Sequence, residues 1–162
     1  LGGWNEMYMW TNPPFTHLEK EVSRFPRWLT WQALISPKLE VREISATPIS
    51  TGSYRVRLVV DNVGWLPTYV TKKALEKKVV RGLICEIALG EGMTLAGGLP
   101  RQEFEQLEGQ AYKAAHASDA NESTDDRLKV EWFVHAPQGG SVTLTARHER
   151  AGVVQATVEL GI

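Results

Sequence analysis

A chain of 162 residues fits one domain of ordinary size, which at this length buries roughly two-thirds of its unfolded surface without metal or disulfide staples. Its 18 Lys and Arg balance 19 Asp and Glu to a formal charge of -1, with no basic block to follow a phosphate backbone, so nucleic acid is not an expected partner. Cys85 is the only cysteine, which excludes an internal disulfide and a cysteine zinc site, and no stretch of about 18 apolar residues reads as a membrane span.

Leu1-Gly2-Gly3-Trp4-Asn5-Glu6 lacks the basic start and apolar middle of a signal peptide. A beginning at leucine reads as a trimmed or processed piece whose upstream partner is missing, so localisation is not readable here. After Asn12-Pro13-Pro14, the run Thr16-His17-Leu18-Glu19 has capping-box spacing and predicts a helix from about residue 16. Leu18, Val22, Phe25 and Leu29 share one face of it. Pro26 should kink or restart the helix before Ser36-Pro37 closes it. Residues 1–37 are thus expected to form a Trp-rich helical linker or brace.

From residue 38 to 162 the pattern is period-two. Strands are predicted at 39–44, 54–60, 83–89, 102–107, 128–134, 141–146 and 153–160. A short helix capped by Thr71 is expected over 71–78, and a polar surface loop over 117–126. About seven short strands with frequent turn residues indicate a mainly β fold, an immunoglobulin-like antiparallel sandwich with an N-terminal helical segment.

Chemistry finds little support. His17, His116, His135 and His148 are widely spaced, and none forms the pair that presents two imidazoles from one helix face. His17 and Glu21 lie one turn apart, but two groups under-coordinate a catalytic metal, and an exposed ion pair is the simpler reading. Asp119 to Asp125 alternates oxygen side chains as a calcium loop does, yet Thr124 replaces the turning glycine and Val130 the bidentate glutamate. Asn121-Glu122-Ser123 fits a glycosylation acceptor, a pattern that also arises by chance. No Gly-x-Ser-x-Gly elbow occurs, and Glu103 and Glu105 alternate as a wet strand face beside Glu108. No catalytic or metal residue is assigned.

Six tryptophans remain, four of them within the first 31 residues. Trp132 sits in a strand and should be core. Trp4, Trp10, Trp28 and Trp31 exceed what the sandwich needs, and they compete between local packing, docking to another domain, and stacking on sugar rings.

Gly2-Gly3-Trp4, Asn12-Pro13-Pro14, the kinked helix and above all Asp61-Asn62-Val63-Gly64-Trp65-Leu66-Pro67-Thr68-Tyr69-Val70-Thr71 resemble the tail region of bacterial zinc carboxypeptidase-like proteins. The resemblance implies an upstream catalytic domain of the same polypeptide that holds the zinc, and a chain that by itself has no cofactor and is not an enzyme. The family's His-x-x-Glu is absent here, so none of its ligands transfers to a residue of this chain. What it implies is an accessory domain that braces or positions the peptidase domain, with Trp4, Trp10, Trp28, Trp31, Trp65, Leu66 and Tyr69 as candidate contacts. The competing expectation is an independent adhesion module that binds a glycan or polypeptide through an exposed aromatic platform.

Overall fold

The computed structural model describes residues 14–115 and 124–161. The chain divides into two compact units, Leu1–Ile35 and Ser36–Ile162. In the first, helix α1 (Phe15–Val22) is followed by α2 (Phe25–Leu34), and neither helix buries a residue. The break falls where Pro26 demands it: the proline occupies the first turn of α2, where its missing N–H has no intrahelical acceptor to lose. The expected capping box is not used. Helix α1 starts one residue early, at Phe15, with Pro14 in the cap position and no side-chain cap, which leaves Thr16 inside the first turn.

The second unit is a β-sandwich with eight strands among the described residues: β1 (Leu39–Ser50), β2 (Ser53–Asn62), β3 (Ile84–Ala88), β4 (Thr94–Gly97), β5 (Arg101–Glu103), β6 (Arg127–His135), β7 (Gly140–His148) and β8 (Gly152–Leu160). Two short helices interrupt them, α3 (Lys72–Glu76) and α4 (Gln110–Ala115). One sheet has the order β1-β2-β6-β4 and the other β5-β3-β7-β8, with every pairing antiparallel. With β1, β2, β6 and β4 as A, B, E and D, and β3, β7 and β8 as C, F and G, this is the immunoglobulin-like arrangement.

Alternation decides which side chains meet between the sheets. Tyr54, Val56, Leu58 and Val60 of β2 point inward, as do Val130, Trp132 and Val134 of β6 and Val142, Leu144 and Ala146 of β7. Trp132 is fully buried and its indole N–H donates to the Leu99 carbonyl at 2.9 Å, so its one polar atom is satisfied within the core. Pro48 is tolerated because β1 is an edge strand.

Two expectations need correction. The eighth strand, β4, was not anticipated, because Thr94-Leu95-Ala96-Gly97 is too short to show a period and is strand only through its pairing with β6. The strand expected over 102–107 ends at Glu103. Beyond it the chain leaves the sheet, because the backbone of Leu107 bonds instead to Thr68.

Candidate functional site

One end of the sandwich carries the segment that the sequence singled out. Strands β1, β3 and β6 begin there, whereas β2, β5 and β7 finish there, as the pairings Leu39 with Asn62, Asp61 with Arg127, Ile84 with Glu103 and Ile84 with Arg147 require. The connections from 63 to 83 and from 104 to 111 cap this end.

Asn62 organises the cap. Its side chain is fully buried; the Oδ1 atom accepts from the backbone N–H of Lys38 at 3.0 Å and of Gly64 at 3.1 Å. Its Nδ2 donates to the carbonyls of Leu66 and Glu108, both at 2.9 Å. Both donors and both acceptor lone pairs of the amide are therefore used, and four backbone groups from three segments of chain are tied to one side chain. The close approach needs glycine on both sides. A Cβ on Gly64 would lie 2.3 Å from the Ser36 carbonyl oxygen, and one on Gly109 would lie 2.4 Å from that of Trp65. The same carbonyl of Trp65 accepts from Ala111 N at 3.0 Å, as that of Gly64 does from Gln110 N at 3.0 Å, which starts α4.

A second polar hub lies along the same connections. The Thr68 hydroxyl donates to Gln106 Oε1 at 2.7 Å and accepts from Leu107 N at 2.9 Å. Gln106 Nε2 donates to the Arg81 carbonyl at 2.8 Å, and its Oε1 also lies 3.0 Å from His148 Nε2. His148 Nδ1 accepts from the N–H groups of Arg150 and Ala151, so the ring is neutral with its proton on Nε2, facing Arg81 O and Gln106. Burial holds its pKa below the usual histidine value.

The bulge in β1 supplies a third tie. Arg42 is skipped in the pairing between Val41 and Glu43, and its guanidinium reaches Asp61 Oδ2 at 2.8 Å. The bond to Asp61, then its charge, raises the Arg42 pKa. Arg127 Nε lies 3.5 Å from Asp61 and 3.8 Å from Asp126.

Against this frame the candidate contacts separate. Trp65 is 49% exposed, on a loop whose own carbonyl and both neighbours are held. Leu66 is half-buried. Tyr69 is half-buried too, and its hydroxyl donates to Glu108 at 2.9 Å; desolvation, with the Glu108 carboxylate, pushes the phenol up to about 12. Trp28 and Trp31 are exposed on α2 of the other unit, and Trp4 and Trp10 lie outside the described residues. The alternating acids at 119–123 and the Asn121 acceptor also lie outside the described residues.

Glu103 and Glu105 are exposed, as the alternation predicts, and Glu108 is held by Tyr69. Among the described residues no three His, Cys, Asp or Glu side chains come together to hold a metal ion. Cys85 is buried, and desolvation pushes its thiol up to about 12, far from a reactive thiolate. Among the described residues no helix is long and apolar enough to cross a membrane.

Residues 61–71 are legible in the sequence as the carrier of a family resemblance, and nothing there marks Asn62, Thr68, Gln106 or His148 as a structural hub. Their partners come from positions 38, 108 and 81, which no local spacing reveals.

No curated protein matches the chain. Among solved structures, a β-glucosidase from Streptomyces venezuelae in complex with D-glucose, DesR, is similar at 12% identity and a TM-score of 0.32. That match covers 77% of this chain and 15% of the glucosidase chain. Residues 38–159 match the family described as Domain of unknown function (DUF8731), and the chain belongs to that family.

Proposed function

We propose that the chain is a non-catalytic accessory domain of a larger, zinc carboxypeptidase-like polypeptide, and that its capped end docks on the catalytic domain and positions it. The observation that carries this reading is the pairing of a rigid frame with an exposed apolar tip. Asn62 fixes the loop at both sides of Trp65 while Trp65 itself and Val63 stay open to solvent. A large aromatic group held in place loses little entropy on burial, and such groups dominate interface energetics.

The resemblance of residues 61–71 to carboxypeptidase tails supplies the identity of the neighbour. In this reading the zinc and its ligands belong to the catalytic domain. Trp28, Trp31 and the apolar side chains of α1 and α2 offer a second contact surface in the helical unit.

Calorimetry of the full polypeptide tests the proposal. Docked domains should unfold with coupled transitions, and Trp65→Ala should separate them while leaving the sandwich's own stability almost unchanged. Independent transitions in the unsubstituted protein would refute the docking.

A further inference from the structure

His148 is satisfied in only one protonation state. It closes β7 and is 4% exposed. Its Nε2 proton is shared between the Arg81 carbonyl and Gln106 Oε1, each at 3.0 Å, and an imidazolium would keep both bonds. Nδ1 differs. It accepts from the N–H groups of Arg150 at 3.1 Å and Ala151 at 3.3 Å, so a proton placed there would point a donor at two donors. Acid therefore acts on one side of the ring, the side that folds the turn between the paired residues His148 and Gly152.

That turn is tied to the other sheet. Ala151 is buried, and its carbonyl accepts from the backbone N–H of Leu39, the first residue of β1, at 2.9 Å. The bond joins the sheet of β7 and β8 to that of β1 and β2 at the capped end. One residue earlier, Lys38 N donates to Asn62 Oδ1, the atom that also holds Gly64 beside Trp65. A continuous path thus leads from His148 Nδ1 through Ala151, Leu39 and Lys38 to Asn62.

Burial outweighs the charges around the ring and favours its neutral form. Glu149 favours protonation and Arg150 opposes it, and both are exposed. Arg81, Glu103 and Glu105 are exposed too, with Glu103 Oε1 accepting from Gly82 N. Lys38 pairs with Glu40 at 2.7 Å. Glu86, Arg101 and Arg147 pair on the opposite face of their sheet, because Arg147 and His148 alternate. At the same end of the facing sheet, Asp61 and Asp126 are engaged by Arg42 and Arg127.

We propose that His148 is a proton-operated latch: a proton on Nδ1 releases the turn from Glu149 to Ala151 and, through Leu39 and Lys38, loosens the start of β1 where Asn62 is anchored. The latch is closed above the ordinary histidine value near 6.5 and opens as pH falls from there through the lowered folded value. It is a property of this chain and holds whether or not the capped end docks.

Amide hydrogen exchange of the 162-residue chain, followed by NMR from about pH 7.5 to about pH 5, reads the latch bond by bond. Corrected for intrinsic exchange, protection at Arg150, Ala151, Leu39 and Lys38 should fall by up to about tenfold per pH unit below about pH 6.5. The opening should be insensitive to low urea, and the amides of β2 and β6 should stay far better protected. His148→Asn offers an oxygen to Arg150 N two residues on and has nothing to titrate, so protection of the turn should no longer vary with pH. Protection that is flat with pH in the unsubstituted chain would overturn the latch, as would exchange at these amides that tracks global unfolding in urea. Loss confined to Arg150 and Ala151 would overturn the coupling to β1. Should His148→Asn fail to fold, the urea dependence of the unsubstituted chain alone separates local opening from global unfolding.

Discussion

Replacing Asn62 with alanine removes one side chain and strands four backbone groups. The N–H groups of Lys38 and Gly64 and the carbonyls of Leu66 and Glu108 lose bonds of 2.9 to 3.1 Å at a site with no exposed surface. A typical bond contributes about 1 kcal/mol net, and a buried group left unpaired costs about 1–3 kcal/mol, with water recovering part of it in the space the amide vacates. The expected loss is about 3–4 kcal/mol, large among single substitutions. For a domain of this size it corresponds to a fall in Tm on the order of 10 °C. Aspartate is no rescue: it keeps the two acceptors but turns a carboxylate oxygen toward two carbonyls. Urea unfolding of Asn62→Ala and Asn62→Asp measures both, with an unchanged m-value as the sign that the folded state keeps its compactness. A cost below about 1 kcal/mol for alanine, less than a typical single-bond loss, would refute the role assigned to Asn62.

Three further outcomes follow from the same end of the sandwich and its core. His148 has a lowered pKa in the folded state, so its contribution is fully present above the unfolded value near 6.5 and is lost as pH falls from there through the folded pKa. Unfolding free energy should therefore decline below about pH 6.5 with a limiting slope of about 1.4 kcal/mol per pH unit from this group, and His148→Asn should remove that component. Lys78→Gly should stabilise the domain by about 1 kcal/mol in thermal or urea unfolding, because it relieves the left-handed strain at the end of α3. The Cys85 thiol, buried and pushed up to about 12, should react with a disulfide reagent only as fast as the domain opens.

Period-two patterning made the sandwich legible, since the inward side chains of β2, β6 and β7 alternate along runs long enough to read. Thr71 as a helix cap and Pro26 as a break were legible for the same reason: each acts on its own immediate backbone. What escaped depends on distance. Strand β4 exists through its pairing with β6, and the chain leaves β5 because Thr68 bonds Leu107 across a separation of 39 residues. The site was legible only as a tryptophan-bearing motif. Which of its residues support the fold and which face solvent depends on Lys38, Gln106 and Glu108 closing around Asn62 and Thr68.

Oxidative footprinting with hydroxyl radicals reads the solvent contact of individual indole rings, and so bears on docking without requiring a functional assay. Trp65 is about half exposed at 49% in this chain, and Trp132, fully buried, serves as the internal reference. In the full polypeptide the modification of Trp65 should fall several-fold relative to the 162-residue chain, with Trp132 unreactive in both. Equal modification of Trp65 in the two proteins would contradict docking through this face.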